Sequence, residues 1–265
     1  MPVSSLVIAV FAVFAGSTVL SMVGIGGGVF YVPLLLALGM DIHQASPTSL
    51  FVILGTSVAA FVMYRRRNYV DWKLALVIEP PTAAMAFVGG LLANYIDAAV
   101  LTFVLAGVLV LTALFMVRSV PEKAGVSAHH RGDWQRTVGD ARYAVRLPWL
   151  VPAATGAGFV AGMIGISGGV FKMPAMVLLG RVPTRIAIGT SSLMIGATAL
   201  AGLAGHLVDG PFDIRPALLL AASAFAGGQL GPRFSLRTKT GALRRFFAVL
   251  LLLVAVWLIV GEVAG

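Results

Sequence analysis

The chain has 265 residues, of which 59% are hydrophobic and 11% are charged, and its formal net charge is +9. A soluble domain carries about a quarter charged residues, so this composition excludes an ordinary soluble globular protein. The sequence contains no cysteine, which excludes disulfides, thiolate metal sites and thiol chemistry. Most positive charges lie between long apolar runs, which favours loops beside a membrane over a nucleic-acid surface. We therefore predict an all-α integral membrane protein that has no nucleic-acid partner.

Ten apolar segments follow one another along the chain, five on each side of one polar stretch. Most are long enough to cross a bilayer as a helix, which takes about 20 residues. No Lys or Arg precedes Arg65, so the first segment lacks the basic start of a signal peptide, and we expect a permanent helix. The predicted segments are 4–22, 28–39, 46–64, 73–93, 98–118, 147–164, 169–180, 187–207, 214–231 and 242–261. The predicted units are a first transmembrane repeat at 1–118, a basic cytoplasmic loop at 119–146 and a second transmembrane repeat at 147–265.

Glycine runs precede the second and seventh segments, where the chain reads GIGGG at 24–28 and GISGG at 165–169. A short helix is predicted after each run, and its free N–H groups and positive dipole end would face the run, which suits an anion. Paired, glycine-interrupted segments in corresponding places indicate a transporter site. The alternative is close helix packing, which small residues permit in membranes. The candidate substrate-binding residues here are Gly26, Gly27, Gly28, Ser167, Gly168 and Gly169.

Hydroxyl residues are predicted at the openings of the third and eighth segments. They could cap the helices or bond between helices. They could also face the pathway and donate hydrogen bonds to an oxyanion. Their symmetric placement favours a shared site. These candidate substrate-binding residues are Thr48, Ser49, Thr190, Ser191 and Ser192.

Two charged residues lie inside apolar segments. Lys172, where the first half has Tyr31, could be the counter-ion of an anionic substrate or extend to the membrane interface. Glu79 could couple transport to protons, since burial favours the neutral carboxyl, or it could pair with a basic residue in the bundle. Pro80 and Pro81 follow Glu79 directly, and we expect them to break the helix there.

The two halves repeat the same motifs in the same order. Four matches at similar spacing indicate internal duplication, which is common among transporters. The matched pairs are MVGIGGGVFYVP at 22–33 with MIGISGGVFKMP at 163–174, ASPTSL at 45–50 with AIGTSS at 187–192, Asp71 with Asp213, and AFVGG at 86–90 with AFAGG at 224–228.

The basic residues predict the orientation of the two repeats. If each segment crosses the membrane once, every Lys and Arg except Lys172 and Arg215 falls on one side. An excess of this kind marks the cytoplasmic side. Five crossings per half is an odd number, so the second repeat is inverted relative to the first and both termini face outward. The alternative treats segments two and seven as re-entrant, giving eight crossings, because each has only about 12 residues while a span takes about 20.

The paired motifs resemble the sulfite/sulfonate exporter family called TauE/SafE, whose pattern is G-x-G-G-G-x-x-x-x-P followed by an A-x-G-T-S element. Nearly the whole chain shares the likeness. Ser167 replaces one family glycine, and Pro47 stands where glycine is usual. The matching residues are Gly26, Gly27, Gly28 and Pro33, then Gly168, Gly169 and Pro174, with Thr48, Ser49, Thr190 and Ser191 in the later element.

The resemblance implies a multi-pass transporter of the cytoplasmic membrane. Its substrate would be a small sulfur-containing oxyanion or organosulfonate of the sulfite, sulfoacetate or thiosulfate class, moved by secondary transport, with a coupling proton or ion as a further partner. An anion channel on the same frame is the alternative. Without paired catalytic groups or a metal-ligand cluster in the sequence, we predict neither an enzyme nor a cofactor.

Overall fold

The structure is a computed structural model. It describes residues 3–23, 27–117, 133–139, 141–166, 168–208, 210–235 and 241–264. In these ranges the chain forms ten helices and one β-hairpin, which confirms the prediction of a mainly helical protein. The helices are α1 (Val3–Val23), α2 (Gly28–Ala37), α3 (Ile42–Arg65), α4 (Trp72–Ala93), α5 (Ala98–Val117), α6 (Leu147–Met163), α7 (Gly169–Leu178), α8 (Thr184–His206), α9 (Ile214–Ser235) and α10 (Gly241–Ala264).

The ten helices match the ten predicted segments, but two of them, α3 and α8, begin three or four residues earlier than predicted. Helix α3 begins at Ile42 because the Asp41 carboxylate caps it by accepting a hydrogen bond from the His43 N–H at 2.8 Å. Helix α8 begins directly after Pro183, whose φ of −55° already suits a helix entrance. The prediction that the hydroxyl residues open these helices was therefore wrong, since they lie one or more turns inside.

The prediction that Pro80 and Pro81 break the fourth helix was also wrong. Helix α4 continues through Pro80 and Pro81. It packs along its length against α6 and α8. Within a membrane bundle, neighbouring helices and local adjustment offset the backbone bonds that a proline removes. Packing on both sides therefore explains why α4 stays continuous.

The two halves of the chain interleave. Helix α4 of the first half packs against α6 and α8 of the second, and α9 of the second packs against α1 and α3 of the first. Helix α3 also packs on α8, and α5 on α10. Replacing each helix by the one five places along the chain reproduces these main contacts.

Glycine contacts show the directions of the packed helices. On α6, Gly158 touches Thr82 and Gly162 touches Ala86, so α4 and α6 run in parallel. On α8, Gly196 touches Ser57 and Gly202 touches Leu50, so α3 and α8 are antiparallel. A Cβ added at Gly158 or Gly162 would overlap the backbone of α4, so the close approach of α4 and α6 requires small residues there.

Many large apolar side chains lie on the outer surface. Phe11, Leu76 and Trp149 are each at least 70% exposed, which suits contact with lipid rather than water. By length and composition, three described helices, α3, α4 and α8, can each cross a membrane, and shorter apolar helices accompany them. Helices α2 and α7 have ten residues each, or about 15 Å, so each is about half the thickness of a bilayer core.

The predicted loop at 119–146 contains a β-hairpin that the sequence analysis missed. Strands β1 (Trp134–Val138) and β2 (Ala141–Val145) pair antiparallel, with Trp134 opposite Val145. The two residues between the strands are Gly139 and Asp140, a turn sequence that could have predicted the hairpin. The all-α description therefore holds for the bundle and not for this loop.

Candidate functional site

A largely buried ion pair lies where α4, α7 and α8 meet, with the Glu79 side chain 12% exposed. Lys172 of α7 is 0% exposed, and its Nζ donates to Glu79 Oε2 of α4 at 2.6 Å. Nζ also donates to Thr198 Oγ1 of α8 and lies 3.5 Å from the Met194 carbonyl oxygen. Thr198 Oγ1 in turn donates to Glu79 Oε1 at 2.6 Å. Charges inside a membrane bundle are costly and mark functional positions.

The glycine before α7 makes room for the lysine side chain. Gly168 is the N-cap of α7, and its carbonyl accepts the Lys172 N–H at 2.9 Å, one helical turn on. A Cβ on Gly168 would lie 3.1 Å from Lys172 Cε and 3.4 Å from Thr198 Cγ2. The glycine run thus lets the Lys172 stem fold back along the start of its own helix.

The first half has an uncharged counterpart of this cluster. Tyr31 occupies the position of Lys172 in the repeated motif, and Thr56 follows Thr48 by eight residues as Thr198 follows Thr190. The Tyr31 hydroxyl and Thr56 Oγ1 are 2.8 Å apart and buried. A Cβ on Gly27 would overlap the Tyr31 ring, as one on Gly168 would crowd Lys172.

The structure shows the surroundings of both charged residues. Lys172 is fully buried and does not extend to the interface, and Glu79 pairs with a basic residue. Proton coupling at Glu79 and a substrate role for Lys172 stay predictions.

The other predicted site residues do not meet at the ion pair. Thr48 donates to the Gln44 carbonyl, Ser191 to Ile188 and Ser192 to Gly189, all within their own helices. Ser49 is buried, and its Oγ has no partner in the described ranges.

Gly28 and Gly169 begin α2 and α7. Gly26 and Ser167 lie outside the described residues.

A second charged cluster joins the hairpin to the helices. The carboxylate of Asp71, which caps α4, is buried and accepts from Arg136 Nε at 2.9 Å and Nη2 at 2.5 Å. The Tyr143 hydroxyl also donates to it, at 2.6 Å. The Asp71 N–H donates to Thr190 Oγ1 at 2.9 Å, which ties the start of α4 to α8. Thr190 thus has a structural contact here.

Hydrogen bonding outweighs burial in setting the charge of Asp71. Burial alone would raise the pKa of its carboxyl, but the bonds from Arg136 and Tyr143 and the Arg136 charge lower the pKa below its ordinary value. The same pair raises the pKa of Arg136, and burial with the carboxylate beside it raises the pKa of Tyr143. A cavity of about 550 Å³ opens beside the cluster, and Arg65, Lys73 and Arg136 lie on its wall.

Replacing Asp71 by Asn is expected to lower the free energy of unfolding near pH 7 by about 2 kcal/mol, because charge-assisted hydrogen bonds are lost. Since the folded pKa is depressed, this contribution is present above the ordinary carboxyl pKa and is lost as pH falls through the folded pKa. Thermal unfolding in detergent across this pH range measures it.

The exposed counterpart Asp213 gives the matched control, because its carboxylate accepts only the local Arg215 N–H in the described part of the chain. We expect Asp213→Asn to change stability by less than about 0.5 kcal/mol. Equal effects of the two substitutions would contradict the assigned role of Asp71.

Sequence reasoning missed Thr56, Thr198, Arg136 and Tyr143. The two threonines carried a signal, since they recur at the same distance from the repeated Thr-Ser element and would lie near the middle of long helices. Arg136 and Tyr143 carried none beyond the alternation of the hairpin, because their partner Asp71 is far away in the sequence.

The family follows from comparison with known proteins. A family model described as "Sulfite exporter TauE/SafE" matches residues 8–258. The chain belongs to the TauE/SafE family. This confirms the predicted resemblance and the prediction that the chain is a multi-pass membrane transporter and not an enzyme.

Curated relatives of this TauE/SafE protein match it over most of their length. "Probable membrane transporter protein YunE" of Bacillus subtilis is 26% identical over 97% of each chain. "Probable membrane transporter protein YdhB" of the same organism is 27% identical over 85% of this chain and 89% of the relative. "Probable membrane transporter protein MJ0441" of Methanocaldococcus jannaschii is 24% identical over 84% of each. No solved structure matches the chain significantly.

Proposed function

We propose that this protein is a secondary transporter of a small anion in the cytoplasmic membrane. The substrate is a sulfur-containing oxyanion or organosulfonate of the sulfite, sulfoacetate or thiosulfate class, and transport occurs by alternating access between two inverted repeats. The observation that carries the proposal is the fully buried Lys172 ammonium, which lies beside the start of a half-length helix in the bundle interior. Family membership supports the substrate class.

In this proposal the Lys172–Glu79 pair binds one anion and one proton at the same time. In the paired state the two charges neutralise each other. The Glu79 carboxylate then accepts a hydrogen bond that the Lys172 ammonium would otherwise donate to an anion. Protonation of Glu79 leaves Lys172 with an uncompensated positive charge, which an anion then balances. A proton and a monovalent anion bound together keep the site neutral, which avoids the large cost of an unpaired charge in a low dielectric.

The helix starts support the choice of an anion. Helices α2 and α7 begin at Gly28 and Gly169, where no side-chain cap satisfies the first N–H groups. The positive dipole ends of both helices lie one turn from Tyr31 and Lys172 respectively, and favour a negative ligand. At the cytoplasmic side we propose that Arg65, Lys73 and Arg136 attract anions to the cavity beside Asp71.

The packing supports the inverted repeats. The equivalent helices α3 and α8 run antiparallel, as an inverted duplication requires. The contacts that α4 makes with α6 and α8 correspond to those that α9 makes with α1 and α3. We infer ten crossings, two of them by the short α2 and α7. The Lys172 cluster and the Tyr31–Thr56 pair lie near the crossing of α3 and α8. Inverted-repeat transporters bind their substrate at such an interface between the repeats.

Binding tests the proposal directly. We expect sulfite, thiosulfate or sulfoacetate to raise the melting temperature of the purified protein in detergent, because a ligand selective for the folded state stabilises it. Chloride at equal ionic strength is the control anion. The effect should disappear in the charge-neutral double variant Lys172→Met with Glu79→Gln. Stabilisation that persists in a folded double variant would contradict the site, and no response of the wild type to any of the three anions would contradict the substrate class.

A further inference from the structure

Two hydroxyl groups near the start of α3 are buried without a hydrogen-bond partner. Ser46 and Ser49 are both 0% exposed, and neither Oγ has a partner among the described residues. Several other hydroxyls in the helices are satisfied locally, as Thr48 is by the Gln44 carbonyl at 2.7 Å. Buried polar groups are almost always hydrogen-bonded, so two exceptions on one helix indicate donors kept for a ligand or water.

The start of α3 packs against the turn between α6 and α7 at Ser46. Residues three apart lie on the same helix face, so Ser46 and Ser49 are neighbours there. Leu50 on this face touches Gly202 of α8. Gly165, in the turn, has a φ of +71°, and a Cβ on it would overlap Ser46. The face therefore borders both the α6–α7 turn and the last turns of α8.

A third unpartnered polar atom lies at the same end of the bundle. His206, the last residue of α8, is 1% exposed, and its Nε2 lies 2.9 Å from the Gly162 carbonyl oxygen. A carbonyl only accepts, so Nε2 carries the hydrogen, and Nδ1 of the neutral ring is an acceptor. This Nδ1 has no partner in the described part of the chain. Gly162 is three residues from Gly165, which contacts Ser46.

We propose that Ser46, Ser49 and His206 form a second oxyanion site, on the path between Lys172 and the end of the bundle remote from Asp71. The inference rests on the proposed anion transport. Two hydroxyl donors suit oxyanion oxygens, and the Nδ1 acceptor suits a proton on the anion or a water bound to it. His206 follows Thr198 by eight residues, so the two sites are about 12 Å apart along α8. Sulfite-class anions would occupy this site before or after the Lys172 site.

The absence of cysteine from the sequence allows a sharp test, because one introduced thiol is the sole reactive thiol. We would compare Ser49→Cys with Ser57→Cys on the same helix, where the buried Ser57 hydroxyl donates to the Leu54 carbonyl at 3.0 Å. The purified full chain in detergent is treated with a methanethiosulfonate reagent, with sulfoacetate or sulfate as the probe anion. Neither probe reacts with thiols.

We expect Ser49→Cys to be modified and to be protected about tenfold at an anion concentration near ten times Kd. Modification of Ser57→Cys should not depend on the anion. A folded Ser49→Cys protein that is not modified, or that is modified equally with and without anion while the anion still raises its melting temperature, overturns the second site and leaves the proposed function standing. If neither anion stabilises or protects any variant, the second site fails, and the proposed anion class fails with it when sulfite and thiosulfate also leave the melting temperature of the wild type unchanged.

Discussion

Replacing Lys172 by Met is expected to abolish anion-dependent stabilisation and to lower the free energy of unfolding by about 3–5 kcal/mol, because one partner of a buried pair is removed. Glu79 is then left with Thr198 as its only remaining side-chain partner in the described part of the chain. The loss should be smaller at acidic pH, because protonation removes the unpaired negative charge from Glu79. Chemical or thermal unfolding in detergent at several pH values measures this.

The double variant Lys172→Met with Glu79→Gln separates folding from function. Replacing a buried ion pair by neutral groups of similar size is often neutral for stability, so we expect most of the lost stability to return. Anion binding should not return, because no ammonium is present. If the double variant stayed as unstable as the single one, the pair would not be the reason for the loss.

Replacing Gly162 by Leu is expected to prevent α6 from packing on α4. A Cβ at this position would overlap the Ala86 carbonyl oxygen, and a leucine adds three more carbon atoms. Such overpacking typically costs about 1–3 kcal/mol, and we expect a cost at the upper end because backbone rather than a flexible side chain is in the way. The expected result is a strong loss of monodisperse protein in detergent, measured by fluorescence-detected size exclusion and thermal unfolding.

Gly156 on the same helix provides the matched control. It is exposed, and a Cβ built on it meets no atom within 4 Å. We expect Gly156→Leu to fold as the wild type does, because its side chain would point to the lipid. Equal damage from the two substitutions would mean that glycine itself, rather than the contact with α4, matters in α6.

The repeated motifs allowed much of the fold to be predicted from sequence. The ten apolar segments, the short helices after the glycine runs and the two charged residues within the bundle could all be read from residue pattern alone. The start of α3 was predicted at residue 46, whereas the Asp41 cap determines that the helix begins at Ile42. Capping depends on one side-chain contact, which periodicity does not show.

The contacts between the site residues were harder to predict than the helices that carry them. Lys172 and Glu79 were each identified, but their pairing depends on the interleaving of α4 with the second half, which no local pattern encodes. The same holds for Asp71, whose partners Arg136 and Tyr143 come from the hairpin. The symmetric placement of the Thr-Ser elements suggested one shared site, yet their hydroxyls mostly bond within their own helices.

Counterflow in proteoliposomes tests the central claim most directly. Vesicles containing the protein are loaded with unlabelled sulfite, and the uptake of radiolabelled sulfite is followed with and without an inward proton gradient. We predict a transient accumulation above equilibrium that is lost in the Lys172→Met, Glu79→Gln double variant, because a carrier exchanges substrate through one alternately exposed site. Uptake that rises only to equilibrium, does not saturate and is the same in the folded double variant would contradict the account and indicate a channel or an unrelated activity.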